Sequence, residues 1–114
     1  MEKDLQIVSF EDLTALHNWL KANHGKSTGI FVRIYKKNSG IASVSFEDLL
    51  NEGLCFGWSE SIRLRGDKSS YLQKFTPRKT KSTTSKRNLR HLAQLIKENR
   101  ITPAGLRALG RQSV

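Results

Sequence analysis

Apolar residues recur along the chain in two rhythms. Phe10, Leu13, Leu16 and Leu20 fall three or four apart, the spacing of one helical face, and Gly25 supplies a stop, so the pattern predicts a helix over residues 10–23. The same rhythm returns over 46–56 with Leu49, Leu50 and Leu54 inward, and over 85–99 with Leu89, Leu92, Leu95 and Ile96 behind a Ser85 cap. Between the first two helices, the β-branched and aromatic run Ile30 to Lys36 ends at Asn38-Ser39-Gly40, which predicts a strand and a turn. Ser61 to Arg65 alternates strictly, Gly66 to Ser70 carries turn chemistry, and Tyr71 to Phe75 resumes extended. These runs predict an antiparallel hairpin closed by Pro77. Residues 78–84 are polar and aperiodic, a loop, and Thr102-Pro103 opens a short last helix carrying Leu106 and Leu109 and ended by Gly110. The order α, β, α, β, β, α, α predicts the α+β class, with a small, mostly antiparallel three-stranded sheet packed against three to four helices. Residues 1–110 are expected to form a single domain and residues 111–114 a frayed tail.

One hexapeptide occurs twice. Val8-Ser9-Phe10-Glu11-Asp12-Leu13 returns as Val44-Ser45-Phe46-Glu47-Asp48-Leu49. Serine before an acidic first turn is an N-cap signature, and valine with leucine has the spacing of a hydrophobic staple. The flanking residues do not repeat, so the hexapeptide reads as one capping solution used at two helix starts, with Ser9 and Ser45 as the caps.

Composition places these elements in a basic protein. The 114 residues carry 20 Lys and Arg against 10 Asp and Glu, a formal charge of +10. The charge is segregated: residues 1–67 hold 8 basic and 9 acidic side chains, residues 68–114 hold 12 basic and one acidic, Glu98. A segment of that kind makes a positive field that concentrates anionic partners. The single cysteine, Cys55, excludes an internal disulfide, and no Cys/His cluster offers a zinc cage. The N-terminus lacks the pattern of an export signal, and no apolar run approaches the roughly 20 residues that span a bilayer. A cytoplasmic protein without membrane insertion is therefore expected.

The candidate chemistry follows the charge. Arg78, Lys79, Lys81, Lys86, Arg87 and Arg90 are candidate anion-binding groups, with Arg63, Arg65 and Lys74 on the hairpin at their margin. The strand delivers Gln73 and Phe75 to one face and Lys74 to the other, and Pro77 sets the direction in which Arg78 and Lys79 leave the sheet. The competing reading makes Phe75 core, Pro77 a terminator and Arg78 a structural partner of Glu60. Trp58, Tyr71 and Phe75 are candidates for base stacking, although an aromatic among apolar neighbours is commonly core. Glu60, Gln73 and Arg78, capped by Trp58, are the group that an enzyme acting on a small phosphorylated substrate would gather in a pocket. Catalysis otherwise lacks its parts. Cys55 lies in an apolar context that raises a thiol pKa, His17, His24 and His91 have no evident partners, and Glu60 with Asp67 would form a carboxylate pair only if the hairpin joined them. No phosphate-binding loop or hydrolase signature is present. No enzyme, cofactor or metal is expected, and no signature of sequence-specific readout is found.

Residues 29–109 resemble a known family. The matching pieces are Arg33 with Lys36-Lys37 and Ser39-Gly40, then Leu54-Cys55-Phe56-Gly57-Trp58, then the run Tyr71 to Lys79, then Ser85 with Asn88, and Arg100 followed by Thr102 to Leu106. In order and spacing they are similar to the bacteriocin-protection or OmpD-associated family, the YdeI-like proteins. The chain departs from that pattern at Trp58-Ser59-Glu60, where the family has Trp-Ile-Asp, and at Thr84, where it has tryptophan. The resemblance implies a bacterial protein concerned with tolerance of bacteriocins or antimicrobial peptides, and it attaches no reaction to these motifs. The residues themselves favour a non-catalytic module whose basic half engages an anionic partner, DNA or RNA, through the backbone. The alternative is a stress or immunity protein acting through a protein partner, using the apolar Leu54 to Trp58 edge.

Overall fold

The computed structural model describes residues 5–78 and 86–108, with side chains over 5–78 and 90–107. Along them run β1 (Gln6–Ser9), α1 (Leu13–Asn23), β2 (Ile30–Tyr35), a 3-10 turn (Lys37–Ser39), α2 (Phe46–Phe56), β3 (Trp58–Arg65), β4 (Ser70–Pro77), α3 (Lys86–Lys97) and α4 (Pro103–Ala108). The α+β class is as expected, but the sheet is not. It has four strands in the order β1-β2-β4-β3 and is mixed: β1 lies parallel to β2, and β4 pairs antiparallel with both β2 and β3.

The additional strand comes from the first copy of the hexapeptide. Val8 and Ser9 are in β1, paired with Val32 and Arg33, so Ser9 is committed to the ladder and does not cap a helix. The cap moves to Asp12, whose side chain accepts from the Ala15 amide at 2.9 Å, and α1 starts at Leu13 rather than Phe10. The second copy behaves as its residues predict. Ser45 accepts from the Asp48 amide at 3.0 Å while the Asp48 carboxylate accepts from the Ser45 amide at 3.1 Å, a complete capping box. The copies also meet, since the Val44 amide donates to the Phe10 carbonyl at 3.1 Å. Gly57, at φ 80°, ends α2 in the left-handed conformation that glycine adopts at little steric cost and turns the chain directly into β3.

The core lies between the sheet and the helices. Ile30, Val32 and Ile34 of β2 and Phe75 of β4 meet Leu16 and Leu20 of α1, Leu49, Leu50 and Leu54 of α2, and Leu95 of α3. Trp58 sits at its centre, 1% exposed, its indole N–H donating to the His24 carbonyl at 3.2 Å and its ring in edge contact with Trp19. The chain past α3 is anchored on α2. Thr102 donates its hydroxyl to the Cys55 carbonyl and caps α4 by accepting from the Gly105 amide, and Gly105 packs on the Leu54 and Cys55 carbonyls, 2.7 Å from the former for an added Cβ. A side chain at residue 105 has no room there. No helix of the described residues is long and apolar enough to cross a membrane.

Candidate functional site

The site is built by an irregularity in the β3–β4 hairpin. Trp58 pairs with Pro77 and Glu60 with Phe75, one extra residue is then taken up in β3, and pairing resumes with Arg63 opposite Gln73 and Arg65 opposite Tyr71. Side chains in a strand alternate between faces, so without this bulge residues 62 and 64 would follow Glu60 on the helix side of the sheet. The bulge instead brings Arg63 and Arg65 to that side. Gln73, 2% exposed, pins the distortion by donating its side-chain amide to the Ile62 carbonyl at 3.2 Å. Arg63 then lies with its guanidinium carbon 4.2 Å from the centre of the Tyr71 ring and 5.4 Å from that of Phe46 at the start of α2. Both distances are within cation–π range.

Around this arginine opens a cleft of about 630 Å³, lined by Lys36, Arg63, Leu64, Arg65, Gly66, Asp67, Lys68, Ser70 and Tyr71. Four cations and one carboxylate face it. Asp67 is already engaged: it accepts from the Ser69 amide and the Ser70 hydroxyl, each at 2.9 Å, and lies 3.6 Å from Arg33, which also donates to Ser70 at 2.8 Å. The Ser69 amide first, then the Ser70 hydroxyl and the Arg33 charge, hold the Asp67 carboxyl below its ordinary value. None of Lys36, Arg63, Arg65 and Lys68 is ion-paired with a carboxylate among the described residues. The hairpin tip is thus braced from within by one acid and leaves its cations directed at solvent.

Of the residues singled out in the sequence, Arg63, Arg65 and Tyr71 are the ones gathered here. Lys74 lies on the opposite face, paired in register with Phe31. Arg78 follows the far end of β4, roughly 23 Å along the strand from Tyr71, with its amide donating to the Gly57 carbonyl. Arg90 is exposed on α3. Lys79 and Lys81 lie outside the described residues, as do the Ser85 cap, Thr84, Gly110 and the 111–114 tail, and the side chains of Lys86, Arg87 and Asn88 lie outside the described side chains. The stacking candidates are corrected as well. Trp58 and Phe75, the latter 0% exposed, have no open face, because they fill the core. Gln73 is turned onto the bulge, and Glu60 and Asp67 are at opposite ends of β3 and its turn, too far apart in register to form a carboxylate pair. The Leu54 to Trp58 segment is buried and presents no edge.

A second charged group lies inside the molecule. Glu52, with a side chain 3% exposed, accepts from Arg100 at 2.8 Å on one oxygen and meets Nδ1 of His17 at 2.8 Å on the other. It links α1, α2 and the segment leading to α4, and it engages His17. Beneath it the Cys55 thiol is pushed up to about 12, by burial first and by the Glu52 charge second. A neutral, buried thiol is no nucleophile. Among the described residues no group of three His, Cys, Asp or Glu could hold a metal ion.

Sequence reasoning missed Lys36 and Lys68 as cleft residues, Phe46 as a support for Arg63, and the whole Glu52 group. Lys36 had a signal: it directly follows β2, and its amide donates to the Ser69 carbonyl at 2.7 Å, so strand register alone delivers it to the hairpin turn. Glu52 had none, because its partners are 35 and 48 residues away. No curated protein sequence and no solved structure matches the chain. One family model does, and it covers residues 8–108, from within β1 to the end of α4. The cleft, the bulge and the Glu52 group all fall inside the matched residues, and the chain belongs to the DUF8412 family, a domain of unknown function.

Proposed function

We propose that this protein is a non-catalytic, basic binding module of the cytoplasm that takes up the phosphate backbone of nucleic acid, DNA or RNA, without reading its sequence. The observation that carries the reading is the hairpin-end cleft, where Lys36, Arg63, Arg65 and Lys68 surround one volume and Asp67 is held by Arg33, Ser69 and Ser70. Cations that must be hydrated in the unbound protein are ready to exchange water and counterions for phosphate oxygens. The formal charge of +10 supplies the long-range attraction. The burial of Cys55 and the engagement of His17 by Glu52 favour binding over catalysis. In this reading the pieces that resemble the bacteriocin-protection proteins serve the scaffold: Arg33 braces the hairpin tip, and Leu54 to Trp58 packs against Thr102 to Leu106.

Salt dependence tests it. Neutralising three or four phosphates gives a slope of log affinity against log salt of roughly −3 to −4 for duplex DNA. Replacing Arg65 and Lys68 with alanine should flatten that slope by about two. Binding that is absent, or indifferent to salt, rejects the proposal. Recovery of a stoichiometric protein partner from nuclease-treated extract, with no nucleic-acid binding by the pure protein, would favour the immunity reading instead.

A further inference from the structure

We propose that the cleft seats one unstacked base of a single-stranded nucleic acid on the outer face of the Arg63 guanidinium, with the neighbouring phosphates on Arg65, Lys68 and Lys36. The inference deepens the phosphate-backbone reading and rests on it.

Three observations carry the step from phosphate to base. First, Arg63 is held differently from its neighbours. Its guanidinium lies over the Tyr71 ring at 4.2 Å, with Phe46 at 5.4 Å as a second support, while the residue as a whole is exposed. A guanidinium backed by a ring on one side offers a flat, weakly hydrated surface on the other, and bases stack on guanidinium planes as they do on aromatic ones. Because the rings already order this side chain, less is lost in ordering it when a base arrives. Second, the cleft volume of about 630 Å³ lies within the range of about 300–1,000 Å³ typical of small-ligand sites. It is larger than point contacts to a phosphate require. Third, the cations beside Arg63 sit on the strand and turn that continue from it, so a backbone following the hairpin tip meets Arg65 and Lys68 within a few residues.

These features select a single strand over a duplex. In a duplex the bases are stacked on each other and offer no free face at this site, whereas in a single strand each base can turn outward. The side chains that could otherwise have served as platforms, Trp58 and Phe75, are closed within the core, which leaves the Arg63–Tyr71 pair as the platform among the candidates.

The test uses the full chain and measures fluorescence anisotropy with three labelled probes: an oligothymidylate of about twelve residues, matching common single-strand site sizes, an abasic strand with the same number of phosphates, and a duplex. The thymidylate strand should bind roughly tenfold more tightly than the abasic strand, the scale of one stacked base. Arg63→Lys, which keeps the charge and loses the plane, should erase that difference between the two strands, whatever it does to the affinity they share. Arg65→Ala with Lys68→Ala should weaken all three probes together. Equal binding of thymidylate and abasic strands by the unaltered protein overturns the inference and leaves the phosphate reading standing, whereas failure to bind any probe overturns both. A thymidylate preference that survives in Arg63→Lys also overturns the inference. Circular dichroism establishes that each variant is folded, and the comparison of strands on the unaltered protein remains decisive if one is not.

Discussion

Two carboxylates in this chain have opposite relations to water, and each has its own consequence. Glu52 is almost fully buried between His17 and Arg100. Removing the partner of a buried charge leaves that charge without compensation, which costs about 3 kcal/mol. Arg100→Ala, which strands the buried Glu52 charge, should therefore lower unfolding stability by that amount, whereas Glu52→Gln should cost less, because Arg100 is partly exposed and keeps Glu98 at 3.2 Å; unfolding in urea measures both. Asp67 is at the surface, and its folded pKa lies below the ordinary 3.8 through the Ser69 amide, the Ser70 hydroxyl and Arg33. Its ionised form is the one that folding favours, so its contribution is present above the ordinary value and is lost as pH falls through the lower folded value. Amide exchange at Ser69 and Ser70 should accelerate in that acid range before the core residues lose protection, and equal acceleration everywhere would exclude a local role for Asp67.

At the scale of elements, the repeated hexapeptide separates what local sequence decides from what it leaves open. Ser45 closes a capping box and Ser9, in the same six residues, lies in a strand. Ser45→Ala should destabilise the protein by about 1 kcal/mol, the usual cost of losing a cap. Ser9→Ala should change stability by no more than about 0.5 kcal/mol, as for ordinary surface positions. The helix over 46–56, the strand from Ile30, and the hairpin were legible because capping chemistry, β-branched runs and turn residues act over a few neighbours. The first strand was not, because Gln6 to Ser9 is extended through its partner β2, more than twenty positions on. The cleft was legible in half: Arg63 and Arg65, two apart in an alternating run, must share a face. Which face they share is decided by one extra residue in the pairing, and a bulge without glycine or proline leaves no local signature. Lys74 and the cationic residues beyond Pro77 stood out in the sequence with the charge of the C-terminal half, yet Lys74 is separated from the cleft by the two faces of β4 and Arg78 by its length.

Across the whole molecule, the sheet keeps its most apolar strand, β2, away from solvent by placing β4 on one side and the short β1 on the other. β1 contributes only four residues, and Ile7 is 50% exposed, so the burial it adds is small. Its effect lies in the backbone groups it occupies along β2. An expression clone started at residue 10, or even at residue 8 where the family match begins, would strip all or half of this guard and leave Ile30 to Tyr35 as an open edge, a known template for strand addition between chains. Such truncated protein should form oligomers or precipitate at concentrations where the full chain runs as a single species in gel filtration. Anyone trimming this chain to the matched segment would then be studying self-association introduced by the trimming, so Gln6 and Ile7 belong in every clone of it.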